Sequence, residues 1–233
     1  MLTINAYVRR GKHRLRALAV DPRAHSVGRI LAHFLAGFAL SAGSLGNVPL
    51  PLAVAFVSVC SGWPCLVAGC GSALGYYIFW GGASSQCLVW VAAITPAALV
   101  CSSLRATRNA TLLMPAISAL VIAAGGVFFQ IFAQDTTAVS LYLLRVVMAA
   151  ACSGLFARVL RERDPILDWL TLGVAALSLA QIAPIPWLNL GFLAAGIVAV
   201  AGAFPGVGIT GLALDLAQVT PLPMTAVLCG SFL

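Results

Sequence analysis

The sequence predicts an all-α protein: a polytopic transmembrane helical bundle of about ten spans, some of them short or re-entrant. Three observations predict it. Hydrophobic residues make up 61% of the 233 and charged residues 8%, where a soluble domain carries about 25% charged residues. The mean hydropathy is +1.03. The apolar residues also fall into successive runs, and a helix needs about 20 such residues to cross a hydrocarbon core. Thirteen basic and six acidic side chains cannot solvate a soluble core of this size. A water-soluble enzyme, a disordered chain and a secreted disulfide scaffold are therefore excluded. Few aromatic and alternating segments occur, which argues against a β-barrel.

Two regions follow from the charge pattern. Residues 1–26 form a basic cytoplasmic N-terminal segment, and residues 27–233 a multi-span membrane domain. Seven of the 13 basic residues precede residue 30: Arg9, Arg10, Lys12, Arg14, Arg16, Arg23 and Arg29. This cluster lacks the apolar stretch of a cleavable signal peptide. It orients the chain and suits the lipid bilayer's anionic head groups, and no nucleic-acid contact is expected.

The spans read as 27–46, 50–62, 64–81, 86–104, 111–133, 136–160, 166–183, 185–204, 205–219 and a tenth from about 222. Proline suits a helix start and not its middle. Pro49, Pro51, Pro184, Pro186, Pro221 and Pro223 accordingly mark span boundaries, with glycines at 62, 81 and 82 closing others. Arg105, Arg108, Arg158, Arg161 and Arg163 fall in two loops that this count puts on the cytoplasmic side, while the loops of the other side contain no Lys or Arg. Merging the second and third spans would move Arg105 and Arg108 outside, so the positive-inside rule favours two short helices there. Leu233 falls about half-way through the tenth span. A carboxylate at that depth is costly, which predicts a longer protein whose further domains are cytoplasmic.

A P-x-P step recurs at Pro49–Pro51, Pro184–Pro186 and Pro221–Pro223. A glycine cluster follows the first two, at Gly71–Gly75 and Gly206–Gly211, offset by about 135 residues. This predicts a duplicated helix-pair unit in parallel orientation. Gly71 and Gly75 also form a small-xxx-small helix-packing pattern.

Two charges of opposite sign lie deep in apolar segments, Arg145 in the sixth span and Asp215 in the ninth. Each is costly alone in hydrocarbon, so the sequence predicts that they meet as an intramembrane ion pair. The seven cysteines form no C-x-x-C, and the three histidines have no metal-ligand spacing. Reduced, core-filling thiols and no metal are expected. No paired-carboxylate, Walker, H-E-x-x-H or G-x-S-x-G motif occurs, so residues 1–233 carry no expected catalytic residue.

Several stretches carry a family resemblance. They are Pro49-Leu50-Pro51-Leu52-Ala53-Val54-Ala55-Phe56, the run from Gly71 to Gly81, Ala180-Gln181-Ile182-Ala183-Pro184, and the run from Leu212 to Pro221. The chain resembles the N-terminal membrane region of stage II sporulation protein E of endospore-forming Firmicutes over most of residues 27–233. The resemblance implies about ten spans, then a cytoplasmic region for oligomerisation and division-protein binding. A PP2C-type serine phosphatase domain using manganese or magnesium would follow. That enzyme dephosphorylates an anti-anti-sigma factor and so activates the first forespore sigma factor. The implied partners are septal division proteins and further copies of the chain; the implied place is the asymmetric septum. The manganese or magnesium belongs to the missing phosphatase domain, so no cofactor is expected in this segment. Two alternatives remain beside this anchor reading. One is a small transporter or transporter subunit using the Arg145/Asp215 pair, and the other a lipid-modifying membrane enzyme.

Overall fold

The computed structural model describes residues 22–45, 48–81, 84–104, 110–132, 139–161, 164–185, 188–201, 204–218 and 222–230. The fold is all-α. In chain order the elements are α1 (Pro22–Ser41), β1 (Ser44–Leu45), β2 (Val48–Pro49), α2 (Leu52–Val59), α3 (Trp63–Trp80), α4 (Ser84–Leu104), α5 (Ala110–Phe132) and α6 (Val139–Val159). They continue with α7 (Pro165–Leu179), α8 (Leu190–Val200), α9 (Phe204–Leu216) and α10 (Met224–Gly230).

Each of the ten apolar segments read from the sequence holds one of these helices, with shifted ends. The first helix begins at Pro22, so residues 22–26, expected in the N-terminal segment, form its opening turn, with proline in the first position where it costs no hydrogen bond. It stops at Ser41, five residues short of the expected end. The chain there turns into a two-stranded hairpin that pairs Ser44 with Pro49 and Leu45 with Val48. Residues 1–21, Pro186 and Pro221 lie outside the described residues.

Among the described residues, two helices are long and apolar enough to cross a membrane, over Leu113–Ile131 and Val139–Val159. Only 28% and 33% of those windows is buried, so neither is a wrapped core helix. Two such helices do not make a ten-span bundle. The eight residues of α2 span only about 12 Å, well short of a hydrocarbon core of about 30 Å.

Contacts between helices fix their directions. A Cβ at Gly71 would meet the Phe34 carbonyl, and one at Gly75 would meet Phe38 and Ser41. Residue numbers rise together on both helices, so α1 and α3 run parallel. Between them α2 runs back, from Leu50, whose carbonyl accepts from Tyr76 Oη at 3.0 Å, to Val57 beside Cys65. Against α6 it runs parallel: Arg145 reaches Pro49 and Ser153 reaches Ser58 at 2.8 Å. In α5 and α6, by contrast, Gly126 faces Tyr142 and Ser118 faces Ala149, an antiparallel pair.

The same triplet recurs later in the chain. A Cβ at Gly206 of α9 would strike Trp169 of α7, and one at Gly173 of α7 would lie 2.7 Å from Ile209. These helices are again parallel, with α8 returning between them. The pairs Phe34/Gly71 and Trp169/Gly206 are separated by the same offset of 135 residues that the glycine clusters show in the sequence.

The main core surrounds α2, where Leu52, Ala53, Val54, Ala55, Val57, Ser58 and Val59 are buried. Tyr76, Trp90, Ile94 and Ile122 are fully buried against it or beside it. Cys60, Cys65, Cys87 and Cys152 are buried with them, and all seven cysteines carry thiols.

Candidate functional site

Arg145 sits two turns into α6 and is 3% exposed. Its Nε donates to the Pro49 carbonyl at 3.2 Å and its Nη1 to Gln86 Oε1 at 3.1 Å. Its guanidinium carbon lies 5.2 Å from the ring centres of both Trp90 and Tyr142. Both distances are within cation–π reach. Helix geometry assembles the group: Tyr142 is three residues before Arg145 on α6, and Gln86 four before Trp90 on α4, so each pair shares a face. Gln86 Nε2 in turn donates to the Tyr142 hydroxyl. Trp90 Nε1 is buried with no hydrogen-bond partner among the described residues.

Arg145 thus clamps the point where β2 gives way to α2. That point needs a clamp. Pro51 caps α2 without a side-chain hydrogen bond, and the Pro49 carbonyl two residues before it accepts from the buried Arg145, where an unsatisfied oxygen would be costly.

Asp215 is not its partner. The expected ion pair does not form, because each charge is satisfied elsewhere. One carboxylate oxygen of Asp215 accepts from the backbone N–H of Met224 at 2.5 Å, the other from the N–H of Thr225 at 3.0 Å and from its hydroxyl at 2.5 Å. Asp215 therefore caps α10 from the end of α9, where an anion suits the unsatisfied N–H groups and the positive end of the helix. Asp215→Ala is expected to destabilise α10 by about 1–2 kcal/mol, a cap's usual worth. Hydrogen exchange should speed up over residues 224–230 and stay unchanged in α5 and α6; uniform change would mean that the cap is not local.

The other residues singled out from the sequence divide as follows. Gly71 and Gly75 lie in the α1–α3 contact. Pro49 ends β2, Pro51 precedes α2, Pro184 lies in the bend before the Ile185–Leu188 bridge, and Pro223 precedes α10. Three polar residues have roles that the sequence reading did not give them. Gln86 is the Arg145 partner. Asn189 caps α8, accepting from Gly191 N–H at 2.8 Å, and its amide donates to the Ala180 carbonyl at 2.7 Å. Asp164 caps α7 through the Ile166 N–H at 2.9 Å. An Asp directly before Pro165 was the available signal for the last. Among the described residues, no three His, Cys, Asp or Glu side chains converge on a metal-sized site.

The fold and these side chains define an all-α protein with two membrane-length helices among the described residues and an interior arginine that joins the Pro49 carbonyl to the Gln86 side chain. No protein-family model, curated protein or solved structure matches the chain.

Proposed function

We propose that the chain is a multi-pass membrane module that anchors and places a cytoplasmic enzyme. In this reading it corresponds to the membrane region of a stage II sporulation protein E-like PP2C-type phosphatase at the asymmetric septum. The observation that carries this reading is the use made of Arg145 and Asp215. Both hold backbone groups of the chain itself, so neither is poised to bind and release a solute. A transporter needs intramembrane polar groups that exchange partners. The repeated parallel triplet suits a transporter as well as an anchor, and alone decides nothing.

Surface and charge support the membrane placement. Leu120, Val127 and Ile131 on α5, and Val139, Leu143 and Val147 on α6, are all more than half exposed. Apolar stripes of that size mark contact with lipid or protein. Arg29 on α1, Ser61 before α3 and Arg161 after α6 gather at one end of the bundle, which the positive-inside rule assigns to the cytoplasm.

Two measurements test the reading. With impermeant maleimide added to intact cells, Ser85→Cys at the opposite end should label and Ser61→Cys should not. Equal labelling of both would overturn the topology. A fluorescent fusion of the full gene in a sporulating host should concentrate at the polar septum. Uniform membrane fluorescence, with a solute-uptake defect on deletion, would give the transporter reading instead.

A further inference from the structure

At the basic end, Arg29, His33, Ser61, Pro64 and Arg161 line a cavity of about 350 Å³, and none of the described residues lining it is acidic. His33 Nδ1 donates to the Arg29 carbonyl at 2.7 Å, which holds the ring at the cavity wall. The start of α3 lies here too, and its cap residue Gly62 offers no side-chain acceptor. The positive end of that helix therefore adds to the two guanidinium groups. Trp63 beside it is 75% exposed, placed as aromatic residues are at a membrane–water interface.

A second cavity of about 260 Å³ adjoins the first. Leu160 lines both, and the His33 ring stands 6.0 Å from Phe56 of the second. This one is an apolar groove between α1, α2, α6 and α7. Ala36, Ala39 and Ala175 leave its space open, while Phe56 and Phe156 meet edge-to-face at 5.7 Å along its wall.

A cationic cup opening into an apolar groove matches one class of ligand. We propose that this slot holds an anionic phospholipid of the cytoplasmic leaflet, its phosphate between Arg29 and Arg161 and one acyl chain along the groove. Arginine suits phosphate through its planar fork of donors. A free phosphate would use the cup and leave the groove empty; a zwitterionic lipid would fill the groove but bring a compensating cation to the cup. The inference rests on the membrane reading above.

The test uses the full chain in detergent, exposed to equal amounts of phosphatidylglycerol and phosphatidylcholine and read by native mass spectrometry. Phosphatidylglycerol should be retained about 30-fold over phosphatidylcholine, as expected from two cationic side chains near a lipid surface. The double variant Arg29→Gln/Arg161→Gln should lose that preference while keeping the wild-type melting temperature, since both side chains lie at the surface. Ala175→Phe, filling the groove, should lower retention of both lipids. Unchanged preference in the double Gln variant overturns the inference, as does full displacement of the lipid by glycerol phosphate. A chain that never enters phosphatidylcholine vesicles sinks the membrane reading itself; one that enters without headgroup preference sinks only the lipid site.

Discussion

Arg145→Met is expected to destabilise the bundle by about 3 kcal/mol, since hydrogen bonds from charged donors contribute about 1.5–3 kcal/mol each and a buried acceptor deprived of its donor is penalised further. The Pro49 carbonyl loses its side-chain donor, and the ring faces of Trp90 and Tyr142 lose their cation. Arg145→Lys keeps the charge but not the flat fork that reaches Pro49 and Gln86 together, so it should recover only part of the loss. The comparison with Asp215 is equally diagnostic. Because the two charges hold different backbone segments, the double swap R145D/D215R should be no more stable than the worse single variant. Thermal unfolding in detergent reads all five variants, the two single charge reversals included. Rescue by the swap would mean that the two residues do meet.

Gly71→Ala and Gly75→Ala should be nearly as damaging, each by about 3 kcal/mol, the upper part of the range for overpacking a tight contact. The obstacle at Gly71 is the Phe34 carbonyl, and at Gly75 the Phe38 carbonyl together with the Ser41 hydroxyl. Backbone atoms of α1 cannot swing aside as a flexible side chain can, so the two helices must separate. Close approach through small residues is also the main source of helix association in lipid. Gly28→Ala and Gly196→Ala are the matched controls. Nothing lies within 4 Å of a Cβ at either position, and each should gain about 0.5–1 kcal/mol from reduced backbone freedom in the unfolded chain. Equal losses at all four positions would mean that glycine matters here for backbone freedom and not for contact.

The sequence was most informative where a residue type has a local consequence. Prolines at 49, 51, 184 and 223 stand at element ends because a missing N–H and a fixed φ act on the immediate neighbours. The small residues at 71 and 75 announced a close helix contact, though not that its partner would be α1 and its sense parallel. Arg145 stood out because an arginine in an apolar run demands an explanation. Its partners did not stand out. Gln86 opened the fourth span and Tyr142 carried no assigned role, and their meeting depends on how α4 and α6 are packed, which no periodicity encodes. The Arg145/Asp215 expectation failed for a related reason. Opposite charge was weighed, whereas orphaned backbone groups at the start of α2 and α10 proved the nearer and stronger claimants. The hairpin strands at 44–45 and 48–49 were hidden in the same way, since residues 44–46 read as the end of the first span and the rest as the loop after it.

The short reach of α2 bears on how the chain is made. Nearly every side of this helix is occupied by protein: α1, α3, α4, α5 and α6 all pack against it, and seven of its eight residues are buried. On the membrane reading it cannot leave the translocation channel alone, being too short to stop there and having no face shaped for lipid. It must wait for the glycine-bearing face of α3 to close on α1. Residues 22–80 are then expected to enter the bilayer as one insertion unit. Truncating the chain after Val59 should yield a rapidly degraded product, and extending it through Trp80 should yield a stable one.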